Sequence, residues 1–319
     1  MLKKSAINRD FYGYIFVSPF IIIFLIFTLY PIANTFWLSV TNSSMIGGLQ
    51  GDFIGLRNFE THFNNPMFFR SITNTWLIWI SGFIPQMFFA LLLAAMFTST
   101  TFKIKGSGFF KAVYYLPNLL MPATIAALFA SYLSIAGPFN QFLVGVGIFE
   151  EGRNFLAFPL DSRITVIFLQ WWMWFGQTAI VLAAGMTAVS PSYYESAMID
   201  GASQIKMFFY ITIPLLKPIL LFVLVTSLAG GMQIFDIPFF LFNNGRGGLQ
   251  GEVMTMNVYM NMIRTNSMGD VGLAAAVSVV LFFMSSIVAI ALFRLFRNKS
   301  EAGEGKKPKK ITAKGGRSA

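Results

Sequence analysis

Long stretches without charge alternate with short charged segments along the whole chain. A helix that crosses the hydrocarbon of a membrane needs about 20 mostly apolar residues. Six stretches without Asp, Glu, Lys or Arg reach at least 18 residues, and they are 11–51, 71–102, 112–149, 164–194, 218–235 and 271–293. The pattern predicts an all-α, polytopic membrane protein with six transmembrane helices, the fifth of which continues past Asp236 toward Phe242.

The composition supports a lipid environment and excludes several kinds of site. Of the 319 residues, 55% are hydrophobic and 11% are charged, whereas an ordinary soluble domain has about 25% charged residues. The chain has no cysteine, which excludes disulfides and zinc–thiolate sites, and its single histidine, His62, cannot form a metal site by itself. No predicted span holds a histidine or a pair of carboxylates, which argues against a membrane-embedded enzyme.

The distribution of Lys and Arg indicates the orientation of the chain. If both termini are cytoplasmic, 17 of these residues face the cytoplasm and six face outward. Nine of the 17 lie from Arg294 onward, and without them the ratio is eight to six. We expect residues 1–10 to be a cytoplasmic terminus and 298–319 to be a disordered basic tail near anionic lipid headgroups. No folded basic face with aromatic platforms is visible, so we expect no nucleic-acid partner.

Glycine, proline and asparagine residues mark the expected ends of helices and the expected kinks within them. We expect the third helix to end at Gly137 and Pro138, and the fifth to end at 243–245. The outward segments 41–70, 136–162 and 243–270 are predicted to be loops. Helix-breaking residues also lie inside the predicted spans: Pro31, Pro85, Pro117, Pro122, Gly230, Gly231 and Pro238. They predict kinks, which are typical either of a bundle that encloses a path or of helices that adjust their packing.

The segment between the fourth and fifth spans is rich in apolar residues although it is predicted to face the cytoplasm. Ser190 can cap a helix that starts at Pro191, Gly201 ends it, and a second short helix runs from about Ala202 until just before Pro214. The apolar residues of this segment are Met198, Ile199, Ile205, Met207, Phe208 and Phe209. An apolar helix face is usually covered, and the candidates are the protein's own bundle, the headgroup region or another protein.

The same segment carries a recognisable pattern of small, acidic and apolar residues. The matching positions are Glu195, Ala197, Asp200, Gly201, Ala202, Phe208, Ile211 and Pro214, with Ser196 where alanine is usual. This pattern resembles the EAA loop of ABC importer permeases. Residues 11–297 are similar to the maltose, lactose and glycerol-phosphate branch of that family, for example at Tyr30-Pro31, 55–59, 137–140 and 174–176.

The resemblance implies the type I importer permease fold, with a permease domain at 11–297 and a coupling loop at 190–214. It also implies a multi-pass protein of a prokaryotic cell membrane that works with a second similar permease, two cytoplasmic ATPase subunits and an extracytoplasmic solute-binding protein. The residues that would contact the ATPase are Glu195, Ser196, Ala197, Asp200, Gly201, Ala202, Phe208 and Pro214. The chain holds no G-x-x-x-x-G-K-[ST] loop, so it is not expected to be an enzyme or to hold a cofactor, and ATP and magnesium would bind to the partner ATPase.

Polar groups within the spans are the candidates for contact with a transported solute, because each is costly in lipid. They are Gln233 and Asp236, expected on one helix face, together with Gln86, Gln170, Trp171, Trp174 and Gln177. Amides beside aromatic rings suit a sugar, and the lack of cationic residues within the spans favours a neutral sugar over glycerol phosphate. Hydrogen bonds between helices are the alternative role for the glutamines, and an ion-driven secondary transporter is the alternative class of protein.

Overall fold

The computed structural model describes residues 9–47, 51–99, 104–242, 253–266 and 269–296, with side chains from Tyr12 onward. The predicted tail at 298–319, the first eight residues and the predicted end of the fifth helix at 243–245 lie outside the described residues. The α-helices are α1 (Arg9–Phe24), α2 (Tyr30–Leu38), α3 (Arg57–Phe63), α4 (Pro66–Thr98), α5 (Ser107–Leu119), α6 (Pro122–Tyr132), α7 (Pro138–Gly145), α8 (Pro159–Thr187), α9 (Pro191–Ile199), α10 (Gln204–Met207), α11 (Ile213–Leu215), α12 (Lys217–Met232), α13 (Asp236–Leu241), α14 (Met256–Arg264) and α15 (Val271–Phe296).

Five helical stretches in the described residues are long and apolar enough to cross a membrane. They are Tyr12–Leu38, Pro66–Thr98, Pro159–Thr187, Lys217–Leu241 and Val271–Phe296. Helices α5 and α6 pass the same test only as a pair, and they meet at a bend of 88°. The prediction of an all-α protein is confirmed, and six spans result if the bent pair counts as one.

The third predicted span is the one that differs most from expectation. The sequence predicted a helix within 112–149 that ends at Gly137, but helix starts at Ser107, is broken after Leu119 and ends at Tyr132. The two residues before Pro122 have extended backbone angles, because proline disfavours helical geometry in the residue that precedes it. The predicted kink at this position is therefore confirmed, and it is a full break.

Two other prolines are accommodated by widened turns. A π-helical turn at Leu25–Leu29 precedes Pro31, and another at Phe208–Thr212 precedes Pro214. In each case the residue just before the proline donates its N–H five positions back, to Leu25 or to Phe208. A proline ring collides with the carbonyl four positions earlier in a regular helix, and the wider turn relieves that contact.

The core lies between α4 and α8, which pack along much of their length. One buried cluster joins Ile78 of α4 and Leu169 of α8 to Ile125 of α6 and Ile237 of α13. A second cluster, nearer the other end of α4 and α8, is built around the fully buried Leu182. Helix α1 by contrast has exposed apolar side chains along its whole described length, which is the expected character of a surface that faces lipid or another subunit.

Hydrogen bonds join spans and inter-span segments at one end of the bundle. Asn74 near the start of α4 donates to the carbonyl of Met254 and accepts from Arg163 at the start of α8. His62 of α3 contacts the carbonyl of Leu273 in α15. The outward segments are not plain loops as predicted, since they contain α3, α7 and α14. Short amphipathic helices of this kind escape a search for long apolar stretches.

Candidate functional site

The segment between α8 and α12 starts as the sequence predicts. Helix α9 begins at Pro191, with Ser190 in the capping position. The Ser190 hydroxyl, however, is hydrogen-bonded to the Ser192 hydroxyl at 2.9 Å and makes no bond to a helix N–H. The start of α9 therefore depends on the fixed backbone angle of Pro191 more than on a side-chain cap.

The end of α9 is a complete Schellman turn. Gly201 has a φ of +75°, its N–H donates to the carbonyl of Met198, and the N–H of Ala202 donates to the carbonyl of Ala197. The predicted helix end at Gly201 is confirmed. Because φ is positive, any side chain with a Cβ is strained here although the surrounding space is open.

The second part of the segment does not stop before Pro214 as predicted. Helix α10 starts at Gln204, after the side chain of Ser203 caps it by accepting the N–H of Lys206 at 3.4 Å. The chain then continues through the π turn and through Pro214 to Leu215. The π turn, which local sequence rules do not reveal, is what allows the helix to continue past the proline.

This segment presents apolar side chains to its surroundings. Ile199 is 87% exposed, Ile205 is 72% exposed and Met198 is 55% exposed. Glu195, Ser196 and Asp200 are exposed too, whereas Ala197, Ala202, Phe208 and Ile211 are half-buried and Pro214 is exposed. The bundle does not cover this face, which removes one of the candidates that the sequence left open.

A side-chain hydrogen bond links α9 to the π turn. The Tyr194 and Thr212 hydroxyls are hydrogen-bonded at 2.9 Å, and Thr212 is buried. Met207 is buried against the bundle as well, so the segment is attached at its middle while Ile199 and Ile205 point away. The exposed part of the segment is thereby linked to the residues that lead into α12.

Gln86 lies in a buried link between spans. Its amide nitrogen donates to the Thr178 hydroxyl at 2.9 Å, and that hydroxyl donates to the carbonyl of Trp174. Gln86 is 6% exposed, so the structure gives it an interhelical hydrogen bond, the alternative role named from the sequence. Its predicted role in contacting solute stays a prediction.

Three other candidates share one face of α8. Gln170, Trp174 and Gln177 recur at intervals of four and three residues, so they lie on one side of the helix. Gln170 and Gln177 are half-buried and Trp174 is 40% exposed. Trp171 points elsewhere and stacks on Phe89 of α4, with ring centroids 5.1 Å apart.

The fifth span is broken between Gln233 and Asp236. Met232 is the last residue of α12 and Gln233 follows as its C-terminal cap, Phe235 has non-helical backbone angles and Asp236 begins α13. The prediction that Gln233 and Asp236 share a helix face is therefore wrong, because the chain is not helical between them. Both side chains are exposed at the break.

The break leaves backbone carbonyls without helical partners. Two residues at the start of α14 donate hydrogen bonds to these carbonyls. The Thr255 hydroxyl donates to the carbonyl of Ile234, and the Asn257 amide donates to the carbonyl of Met232, both at 2.9 Å. These two polar residues were not singled out from the sequence. Their signal was weak, since they lie in a segment that the pattern assigned to a loop.

Gln170 and Trp174 of α8 lie level with the break in the fifth span. Ile234 and Ile237, which flank Gln233 and Asp236, pack in one cluster with Leu169 and Met173 of α8. Leu169 is ten residues from the start of α8, or about 15 Å along the helix axis. The arrangement brings amides, one carboxylate and an indole ring to the same part of the bundle. Within the described ranges, no group of three His, Cys, Asp or Glu side chains could hold a metal ion.

Comparison with known proteins agrees with this architecture. Residues 68–300 match the family described as the binding-protein-dependent transport system inner membrane component. The lactose transport system permease protein LacF of Rhizobium radiobacter is 30% identical over 93% of this chain and 98% of its own length. The arabinooligosaccharides transport system permease protein AraP of Bacillus subtilis (strain 168) is 30% identical over 95% of each chain.

A solved structure shares the fold. A chain from a bacterial ABC transporter involved in the import of the acidic polysaccharide alginate superposes with a TM-score of 0.77 at 24% identity, over 91% of this chain and 96% of that one. The family match covers most of the chain and the relatives align over nearly their full length. The chain therefore belongs to the binding-protein-dependent transport system inner membrane component family and is a permease subunit of an ABC importer.

Proposed function

We propose that this permease carries a sugar or an oligosaccharide across the cell membrane by alternating access, driven by a separate cytoplasmic ATPase. The assembly would comprise this chain, a second similar permease, two ATPase subunits and an extracytoplasmic solute-binding protein. ATP and magnesium would be held by the ATPase, and this chain would have no cofactor. Both termini would lie in the cytoplasm, as the excess of Lys and Arg on that side indicates.

The observation that carries the proposal is the geometry of residues 190–214. An exposed face with Ile199 and Ile205 stands away from the bundle, and the Tyr194–Thr212 contact ties it to the segment that leads into α12. The exposed Glu195 and Asp200 would meet cationic groups at the rim of an ATPase groove, and the apolar face would fill that groove. Closure of the ATPase dimer would then move α12 relative to α8.

Sugar as the substrate class is supported by the polar residues of α8 and of the break in the fifth span. Gln170, Trp174 and Gln177 combine amides with an aromatic face, which is the chemistry that recognises hydroxyls and the apolar faces of a pyranose ring. Gln233 and Asp236 would add further acceptors at the same depth. LacF is a lactose transport system permease protein and AraP is an arabinooligosaccharides transport system permease protein, which is consistent with this class.

The absence of native cysteine makes a direct test of the coupling face simple. A single cysteine in place of Ile199 would carry a thiol-linked photo-crosslinker in the assembled transporter. Ile148, also exposed and apolar, lies in the outward segment and provides the matched control. We expect an adduct with the ATPase from Ile199→Cys and not from Ile148→Cys. Labelling of Ile199→Cys by a membrane-impermeant reagent added from outside the cell would contradict the proposal.

A further inference from the structure

Residues 254–257, which lead into α14, form a strap between α4 and the break in the fifth span. On one side, α4 holds the backbone of the strap. The carbonyl of Met254 accepts from the Asn74 amide at 3.1 Å. The N–H of Met256 donates to the Thr75 hydroxyl at 3.0 Å. Asn74 and Thr75 are buried, so this side of the strap is fixed to the helix that packs along α8.

On the other side, two side chains of the strap are bonded to the break. The Thr255 hydroxyl donates to the carbonyl of Ile234 at 2.9 Å. The Asn257 amide donates to the carbonyl of Met232, also at 2.9 Å. These carbonyls belong to the residues on either side of Gln233, whose own side chain is exposed. The backbone on both sides of Gln233 is therefore held in place from α4 through the strap.

Thr255 lies in the capping position of α14 but does not cap that helix. A threonine before a helix ordinarily accepts an N–H of the first turn. Thr255 forms no such bond, and its fully buried side chain donates to the carbonyl of Ile234. The bond to the break, and not a bond within its own helix, is therefore what this hydroxyl contributes.

We propose that Thr255 and Asn257 are positioning residues, which hold the Gln233 side chain where a solute reaches it. The inference rests on the proposed function, in which Gln233 contacts the sugar. Ile234 is 5% exposed, so its carbonyl would be buried without a donor if the Thr255 hydroxyl were removed. The backbone would turn to satisfy that carbonyl, and the neighbouring Gln233 side chain would move with it.

The first readout is the reactivity of a thiol at position 233, which does not depend on sugar. This chain has no cysteine of its own, so Gln233→Cys would report that position alone. Maleimide labelling of this chain in the detergent-solubilised transporter would be followed by mass spectrometry. An unpaired buried carbonyl shifts the balance between two backbone arrangements by about tenfold. We therefore expect Thr255→Val, and likewise Asn257→Leu, to lower the labelling rate by at least about twofold.

Two further variants separate positioning from a general loss of stability. Thr255→Ser keeps the hydroxyl and should keep the labelling rate. Thr41→Val is the matched control, because Thr41 is equally buried and its hydroxyl donates at the same 2.9 Å to the carbonyl of Leu38, at the end of α2. Thr41→Val should leave the labelling rate unchanged. An equal fall in Thr41→Val and Thr255→Val, or an unchanged rate in Thr255→Val, would overturn the positioning role.

The second readout is sugar uptake by the assembled transporter with Gln233 intact. We expect Thr255→Val to raise KM by at least about twofold with little change in the maximal rate, because fewer molecules present Gln233 in the binding position. Slower labelling with a normal KM would support the positioning of Gln233 and overturn its contact with sugar. A raised KM with normal labelling would overturn the positioning role and leave the proposed function intact.

Discussion

Gly176 of α8 lies directly against the backbone carbonyl of Tyr114 in α5, and a Cβ at Gly176 would overlap that oxygen. Backbone cannot move aside as a flexible side chain can, so the two helices would have to separate. We expect Gly176→Ala to destabilise the protein by about 1–3 kcal/mol, the usual cost of overpacking. Thermal unfolding of the detergent-solubilised protein measures this cost.

Gly230 is the matched control for that substitution, because it is also a helical glycine and its Cβ would meet nothing within 4 Å. Gly230→Ala should leave the unfolding temperature unchanged or raise it slightly, since alanine favours helix. Equal unfolding temperatures for Gly176→Ala and Gly230→Ala would contradict the close packing of α5 on α8.

The turn at Gly201 gives a second prediction, because its constraint is the backbone angle and not the available space. We expect Gly201→Ala to lower uptake strongly, since the left-handed conformation costs alanine about 1–2 kcal/mol. Gly201→Asn should lower uptake less, because asparagine tolerates this conformation. Solute uptake by cells, corrected for the amount of inserted protein, distinguishes the two, and an asparagine variant no better than alanine would count against this explanation.

The buried His62 predicts a dependence of stability on pH. Its Nε2–H donates to the carbonyl of Leu273, and its Nδ1 accepts from the Tyr259 hydroxyl at 3.2 Å. Burial lowers the pKa of His62, and the hydrogen bond to Leu273 partly opposes that effect. Burial also raises the pKa of Tyr259, so this tyrosine stays neutral over the range concerned.

Because the folded protein binds a proton at His62 less readily than the unfolded chain does, stability should fall as the pH drops below about 6.5. The measurement is the unfolding temperature between pH 7.5 and pH 5. His62→Gln keeps a donor for the carbonyl of Leu273. Its unfolding temperature should be lower at pH 7.5 and should change less between pH 7.5 and pH 5. A wild-type profile that rises toward acid pH would refute the assignment.

Gln86 and Trp174 are expected to respond differently to substitution by alanine. Gln86→Ala removes a hydrogen bond between α4 and α8. It should lower the free energy of unfolding by about 0.6 kcal/mol, with an upper limit of about 2 kcal/mol. Trp174→Ala removes a half-exposed ring of α8 and should raise the KM for transport with little effect on stability. Thermal unfolding and initial uptake rates over a range of sugar concentrations separate the two roles. A raised KM in Gln86→Ala together with a lower stability in Trp174→Ala would contradict this assignment of roles.

The features that sequence predicted well are those that short stretches of chain determine. The long apolar runs predicted the spans, and a glycine after a short helix predicted the turn at Gly201. The 88° break was foreseen only as a kink, because Pro122 shows where the chain bends and not how far. The proline rules missed the helix that continues through Pro214, since the π turn that permits it leaves no local signal.

Contacts between distant spans were beyond sequence reasoning for a different reason. Apolar side chains face both the core and the lipid, so periodicity does not distinguish the two sides of a span. The Gln86–Thr178 bond and the approach of Gly176 to Tyr114 depend on how α4, α5 and α8 are placed. The prediction that Gln233 and Asp236 share a helix face was wrong, because the spacing of residues on a helix does not apply where the helix is broken.

The most direct measurement of the central claim is sugar uptake by proteoliposomes that contain this chain, the second permease and the ATPase. We expect uptake to require ATP and the solute-binding protein, to be strongly lowered in Gly201→Ala, and to continue when ionophores dissipate all ion gradients. Uptake driven by a proton or sodium gradient in vesicles without nucleotide would contradict the account.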